Sequence, residues 1–147
     1  MNHIKMQLIK NNVCAPKGFK ALGKHIGIKK SGNMDLAVIF SDVIADAAAV
    51  YTSNKVKGAP LIVTKNHLKN GKAQAIVINS GVANVCTGKK GIKDAEDTAK
   101  YAGEGLGINP GNVLVASTGL IGAYLPMDKI RKGMREVKNG LSLCPDA

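Results

Sequence analysis

The sequence predicts an α/β domain of layered type, a mixed sheet that carries helices. Three observations lead there. A helix-periodic segment, residues 91–107, lies between two apolar runs of strand length, residues 73–81 and 112–117. Two earlier strand-like runs follow one another without a helix between them, which departs from a simple doubly wound sheet. The 147 residues are 45% hydrophobic but only 3% aromatic, with no Trp, which is enough for one domain around an aliphatic core.

Taken in order, residues 1–33 are rich in turns. A-P-K-G-F and G-I-K-K-S-G-N read there as short strands joined by loops. M-D-L-A-V-I-F-S-D, residues 34–42, is a continuous apolar run and reads as a strand with both faces covered. A-A-A-V-Y-T-S, residues 47–53, reads as a second strand paired with it. Pro60 suits a first helical position. The β-branched residues after it fit a strand, but Leu61, Thr64, His67 and Leu68 share one helical face and Asn70-Gly71 is a good stop, so a helix is expected.

Residues 73–81 give the clearest strand, ending in a glycine loop. In the helix over 91–107, Ile92, Ala95, Ala99, Ala102 and Leu106 line one face. Gly103 and Gly105 weaken its last turns by about 1 kcal/mol each relative to Ala. Asn109-Pro110-Gly111 breaks the chain, a strand returns over 112–117, and a last helix starts near Pro126-Met127-Asp128 with Ile130, Met134 and Val137 on one side. There is no internal repeat and no low-complexity linker.

The formal charge of +11 raises nucleic acid as a partner. The lysines are dispersed, however. Arg131 and Arg135 are the only arginines, and few aromatics are present to stack on bases. The expectation is a solvated, Lys-rich surface and no nucleic-acid partner. No apolar run reaches the roughly 18 residues of a membrane span, and the first residues do not form a secretory signal. Cys14, Cys86 and Cys144 have no metal-ligand spacing and read as reduced thiols of a cytoplasmic protein.

Most candidate sites have a plain structural account. The loop N-S-G-V-A-N-V-C-T-G, residues 79–88, lacks both the P-loop and the G-x-G-x-x-G spacing. It reads as a polar corner in which Asn79, Ser80, Asn84 and Thr87 bond local backbone, and Cys86 reads as a buried, inert thiol. His3, His25 and His67 share no metal spacing, so no metal is expected. Asp35 and Asp42 fall on opposite faces of one strand and form no acid–base pair.

S-T-G-L-I-G, residues 117–122, is open to two accounts. In one, the strand ends and Thr118 caps a backbone amide in the turn, which spacing alone favours. In the other, the Thr118 hydroxyl and the Gly119 amide converge on one oxygen and cradle an anion.

Six short motifs occur in a fixed order: A-P-K-G-F, G-I-K-K-S-G-N-M-D-L-A-V-I-F-S-D, T-S-N-K-V-K-G-A-P, I-V-I-N-S-G-V-A-N-V-C-T-G, L-V-A-S-T-G-L-I-G and L-P-M-D-K-I. With them the chain resembles the N-terminal, α-chain part of the bifunctional ornithine acetyltransferase/N-acetylglutamate synthase family of arginine biosynthesis. The resemblance spans residues 13–140. It implies an αββα fold like that of the N-terminal-nucleophile hydrolases, of which only the α-chain portion is present. It also implies a precursor that cuts itself before a threonine, which becomes the nucleophile at the β-chain N-terminus.

On this resemblance, acetyl passes from N-acetylornithine to glutamate, with acetyl-CoA a possible further donor and no cofactor. Thr118 and Gly119 match the family's oxyanion hole, so the nucleophile is not in this chain. The implied partner is the β chain, in an α2β2 assembly in the cytoplasm. Residues 1–142 are then an incomplete α-chain domain, inactive in isolation, and 143–147 a divergent or truncated tail. Val82 stands where the family has Asn, so no substrate role is carried onto Asn79 or Asn84. The alternatives are a related N-terminal-nucleophile acyl transferase or hydrolase, and a truncated non-functional remnant.

Overall fold

The computed structural model describes residues 13–143. His3, Cys144 and the rest of the tail after Leu143 lie outside the described residues. One four-stranded mixed sheet organises the chain, in the spatial order β1-β2-β3-β4. Strand β1 (Phe19–Lys24) pairs antiparallel with β2 (Leu36–Asp46), which pairs antiparallel with β3 (Lys72–Val82). Strand β3 pairs in parallel with β4 (Val113–Leu120). The helices are α1 (Ala59–His67), α2 (Gly88–Leu106), α3 (Met127–Met134) and α4 (Val137–Gly140).

The early pair of strands exists, but not with the expected members. Residues 47–53 form no strand; from Ala48 on they run exposed, with Val50 fully so. The reason lies in β2. It continues across an irregularity between Phe40 and Ala45, and Ala45 and Asp46 still pair with Ala73 and Lys72. Over residues 36–40 both sides of β2 are taken, one by β1 and one by β3, and past the irregularity β3 still holds Ala45 and Asp46.

All helices lie on one face of the sheet. Val38, Val77, Val113 and Val115 from the strands meet Val63 of α1, Ala95, Ala99, Ala102 and Leu106 of α2, and Ile130 and Met134 of α3. The last apolar stripe holds its side as expected, since Ile130, Met134 and Val137 are fully buried, but the helix breaks at Arg135 and Glu136. On α1 the expected face is displaced by one position: Val63 enters the core, while Thr64 and His67 reach sideways to β4.

Gly103 and Gly105 have a different role from the one read locally. A Cβ on Gly103 would lie 2.9 Å from the Pro110 ring, and one on Gly105 would lie 2.1 Å from the Met134 carbonyl oxygen. They let the η-turn Pro110–Asn112 and the end of α3 lie directly on α2.

The opposite face of the sheet carries no helix among the described residues. Laddered neighbours share a face, so Ala37, Ile39, Ile76, Ile78, Ala116 and Thr118 line it together. Ile76 is 36% exposed there. Both edges of the sheet are managed. Ala21 of β1 makes a bridge to Ser142, and α1 covers the first half of β4.

Candidate active site

β3, α2 and β4 make one βαβ unit, with the two strands parallel and adjacent. The carboxyl ends of such strands and the start of the intervening helix come together at one end of the sheet, where ligands of α/β folds bind. Thr118 and Gly119 sit there. The strand does not end before Thr118, as the sequence suggested. The ladder runs through Ser80↔Thr118 and Gly81↔Gly119 to Val82↔Leu120, and the turn follows at Ile121 and Gly122. Thr118 is therefore a strand residue and not the cap of a turn.

Two glycines make this extension possible. Gly119 has φ +128° and Gly81 has φ +109°, both in the region that favours glycine. A Cβ on Gly119 would lie 2.3 Å from the Gly81 carbonyl carbon and 2.6 Å from the Val82 nitrogen. By sequence, the bare Gly119 backbone suits the close approach of a ligand. Its first neighbour is the backbone of β3.

Thr118 and Gly119 are exposed. Thr118 places its side chain on the helix-free face, beside Ser80. The position of Gly119 follows from the edge of β4. Thr64 Oγ1 accepts from the Val115 amide at 2.9 Å and donates to the Val115 carbonyl at 2.7 Å, and His67 Nδ1 lies 2.8 Å from the Val113 carbonyl. Odd-numbered residues of β4 thus turn their backbone groups toward the outer edge, and α1 covers that edge as far as Val115. By the two-residue alternation, the next outward amides are those of Ser117 and Gly119. A hydroxyl and a neighbouring amide at an uncovered strand end are the kind of donor pair that stabilises an oxyanion.

The loop that faces this strand end is the polar corner the sequence predicted. Asn79 Nδ2 donates to the Val82 carbonyl at 2.8 Å and its Oδ1 accepts from Ser117 Oγ, tying the ends of β3 and β4 together. Asn84 is fully buried with φ +51°; its Nδ2 donates to the Gly91 carbonyl and its Oδ1 accepts from Thr87 Oγ1. Both carboxamides are used in bonds within the corner.

Cys86 departs from expectation, because it is an exposed free thiol. It lines a cleft of about 360 Å³ with Lys55, Lys57, Ile62, Thr87 and Ile92. Among the described residues, no imidazole or carboxylate lines that cleft. Cys14 is disulfide-bonded, which corrects the reading of three reduced thiols.

Asp35, expected from the sequence as a strand residue outside any acid–base pair, sits instead just before the strand. Its side chain is fully buried. Its Oδ1 accepts from the Ile26 amide at 2.7 Å and its Oδ2 from the Lys29 amide at 2.9 Å, with His25 Nδ1 3.1 Å away. Burial pushes the carboxyl up, but the amides of Ile26, Lys29 and Ile28, together with His25, outweigh it and hold the group below its ordinary value. The available signal was a carboxylate placed between a glycine loop and an apolar strand. Asp42 is exposed and pairs with Lys20 at 2.6 Å, so the two carboxylates are indeed not a pair. Among the described residues no cluster of His, Cys, Asp or Glu has the makings of a metal site, and no helix is long and apolar enough to cross a membrane.

The model of the ArgJ family matches residues 20–147. An arginine biosynthesis bifunctional protein ArgJ from Caldanaerobacter subterraneus is 50% identical over 137 residues, which is 93% of this chain and 34% of that protein. Its counterpart from Listeria monocytogenes is 52% identical over 130 residues, 88% of this chain and 32% of that protein. The chain thus spans about a third of the length of these curated relatives. A crystal structure of the arginine biosynthesis bifunctional protein from Bacillus halodurans superposes with a TM-score of 0.85 at 42% identity. The crystal structure of ornithine acetyltransferase complexed with ornithine from Mycobacterium tuberculosis gives 0.87 at 41%. Each covers 92% of this chain and is itself covered over 74% of its own. With the family match running across most of its length and solved relatives sharing its sheet and helices, the chain belongs to the ArgJ family.

Proposed function

We propose that this chain is the α-side portion of a glutamate N-acetyltransferase of arginine biosynthesis, and that it supplies the oxyanion hole. The observation that carries this is the position of Thr118 and Gly119, two exposed donors at the end of β4 just past the cover of α1. Membership of the ArgJ family supports it, as does the likeness to a relative named ornithine acetyltransferase.

The reaction then runs through a β chain released from the same precursor by self-cleavage. The hydroxyl of its N-terminal threonine attacks the acetyl carbon of N-acetylornithine, and its own amine takes the hydroxyl proton. The carbonyl π pair moves onto oxygen. The Thr118 hydroxyl and the Gly119 amide each donate to that oxyanion, and one such donor is worth roughly 3 kcal/mol of barrier. When the carbonyl re-forms, the C–N bond breaks, and the ornithine amine leaves with the proton held by the threonine amine. The glutamate amine attacks the acetyl-threonine in turn. A second oxyanion forms in the same place; as it collapses the C–O bond to threonine breaks, and the proton given up by the glutamate amine passes through the threonine amine to the leaving oxygen, which yields N-acetylglutamate and free threonine. Acetyl-CoA is an alternative donor, and no cofactor or metal is needed.

The helix-free face of the sheet, with Ile39, Ile76 and Ile78, takes the β chain as its cover in an α2β2 assembly in the cytoplasm. The chain reaches its full stability only with that partner. The test is to assay acetyl transfer from N-acetylornithine to glutamate by this chain alone and by this chain assembled with its β chain. Turnover is expected only from the assembly. Turnover by the isolated 147 residues would overturn the proposal.

A further inference from the structure

The oxyanion hole described above leaves Asp35 without a task, although a fully buried carboxylate is costly unless hydrogen bonds surround it. Its bonds go to one place. The side chain collects the amides of Ile26 and Lys29 and so fixes the loop between them, while its backbone carbonyl accepts from the Ser80 amide at 2.9 Å. That loop presents Ile28 to Gly81. A Cβ on Gly81 would lie 2.8 Å from Ile28 Cγ2, so Ile28 rests directly on the Gly81 backbone. Gly81 in turn rests on Gly119, where a Cβ would be 2.3 Å from its carbonyl carbon. Ile28, Gly81 and Gly119 lie in succession, each too close to the next to admit a methyl, and Asp35 bonds to the loop over residues 26–29 on one side and to Ser80 on the other.

We infer that Asp35 is a positioning residue for the Gly119 amide, acting through Ile28 and Gly81. The inference rests on the oxyanion role proposed above. An amide aimed at an oxyanion loses much of its effect when it moves by a fraction of an ångström, and the loss falls on the transition state alone. A carboxylate that served only to hold the loop would lower the fraction of folded enzyme and leave kcat per folded, active-site-titrated enzyme unchanged. The two roles therefore separate in kinetics.

The experiment uses the enzyme assembled from this chain and its β chain, assayed for acetyl transfer from N-acetylornithine to glutamate. Asp35→Asn keeps the shape but loses one acceptor and the charge. We expect kcat to fall about tenfold with KM within about twofold. Ile28→Leu keeps the volume and removes the β-branch that touches Gly81, and should lower kcat in the same selective way without a large change in thermal midpoint. Asp42→Asn, seven residues along at an exposed ion pair, should leave both constants unchanged. If Asp35→Asn does not fold, Ile28→Leu decides. Unchanged kcat in both variants, or KM rising in step with the loss of kcat, overturns the inference. Thr118→Val separates the two levels. If Thr118→Val slows the reaction while Asp35 and Ile28 variants do not, the positioning role alone fails. If Thr118→Val leaves kcat intact, the oxyanion hole fails and the positioning role with it.

Discussion

Gly119 and Gly81 are ladder partners pressed backbone to backbone, with no room for a side chain between them. Replacing Gly119 with Ala therefore combines two penalties. The φ of +128° strains any L-residue by about 1–3 kcal/mol, and the methyl meets main chain that cannot rotate away, at a further ~1–3 kcal/mol. Gly122 is the natural comparison, since its φ is +81° but a Cβ there meets nothing within 4 Å. Gly119→Ala is expected to lower unfolding stability by ~3 kcal/mol or more, and Gly122→Ala by ~1 kcal/mol, both read from urea transitions. Equal losses would mean that the contact with Gly81 contributes nothing.

At Gly105 two effects oppose each other. Ala in place of Gly inside a helix gains about 1 kcal/mol of propensity. Here the new methyl would sit 2.1 Å from the Met134 carbonyl oxygen, and main chain at the end of α3 has to move aside. Contact is the larger effect. Gly105→Ala is expected to lower the thermal midpoint by several degrees, in line with a net loss of ~1–2 kcal/mol. A raised midpoint would show that α3 yields without cost.

These glycines also mark where the sequence stops being legible. The periodicity of Ala95, Ala99, Ala102 and Leu106 announces α2 and its buried face, because a repeat of three and four is a local property. The reason for Gly103 and Gly105 lies in Pro110 and Met134, which only the fold brings near, so a local reading counts them as weaknesses. The segment over 47–53 has strand composition, yet β1 and β3 already occupy both sides of β2 over residues 36–40, and composition does not reveal a taken slot. At the candidate site, Thr118 and Gly119 stand out through motif resemblance. The strand that carries them two residues further, and Asp35 beneath the loop that faces it, depend on pairs such as Gly81–Gly119 and Ile28–Gly81 that are distant in the chain.

Asp35 gives stability a definite dependence on acid. Its folded carboxyl lies below its unfolded value, because backbone amides donate to the ionised form. A depressed carboxyl contributes stability that is complete above the unfolded pKa, about 3.9, and is lost as pH falls through the folded value. The protein should therefore lose stability steeply below about pH 4. Asp35→Asn should be less stable at pH 7 by ~2 kcal/mol, the scale of hydrogen bonds to a charged group, and should show a shallower decline in acid. Urea midpoints collected between pH 7 and pH 3 for both proteins decide it. Parallel curves would show that the Asp35 charge has no part in holding the loop.

Thr118 offers the sharpest separation of binding from chemistry. Its hydroxyl is exposed and bonds no other group among the described residues, so Thr118→Val removes a donor while keeping the shape and leaving no partner unsatisfied. Stability should change little, within about 0.5 kcal/mol. In the assembled enzyme an oxyanion donor acts only on the transition state, so kcat should fall about 100-fold or more with KM nearly unchanged. Both half-reactions pass through an oxyanion at the same place. The loss should therefore appear equally in the burst of ornithine release from N-acetylornithine and in the transfer of acetyl from the enzyme to glutamate. Single-turnover measurements of each half-reaction test this. A loss confined to one of them would mean that the Thr118 hydroxyl serves a substrate and not the oxyanion.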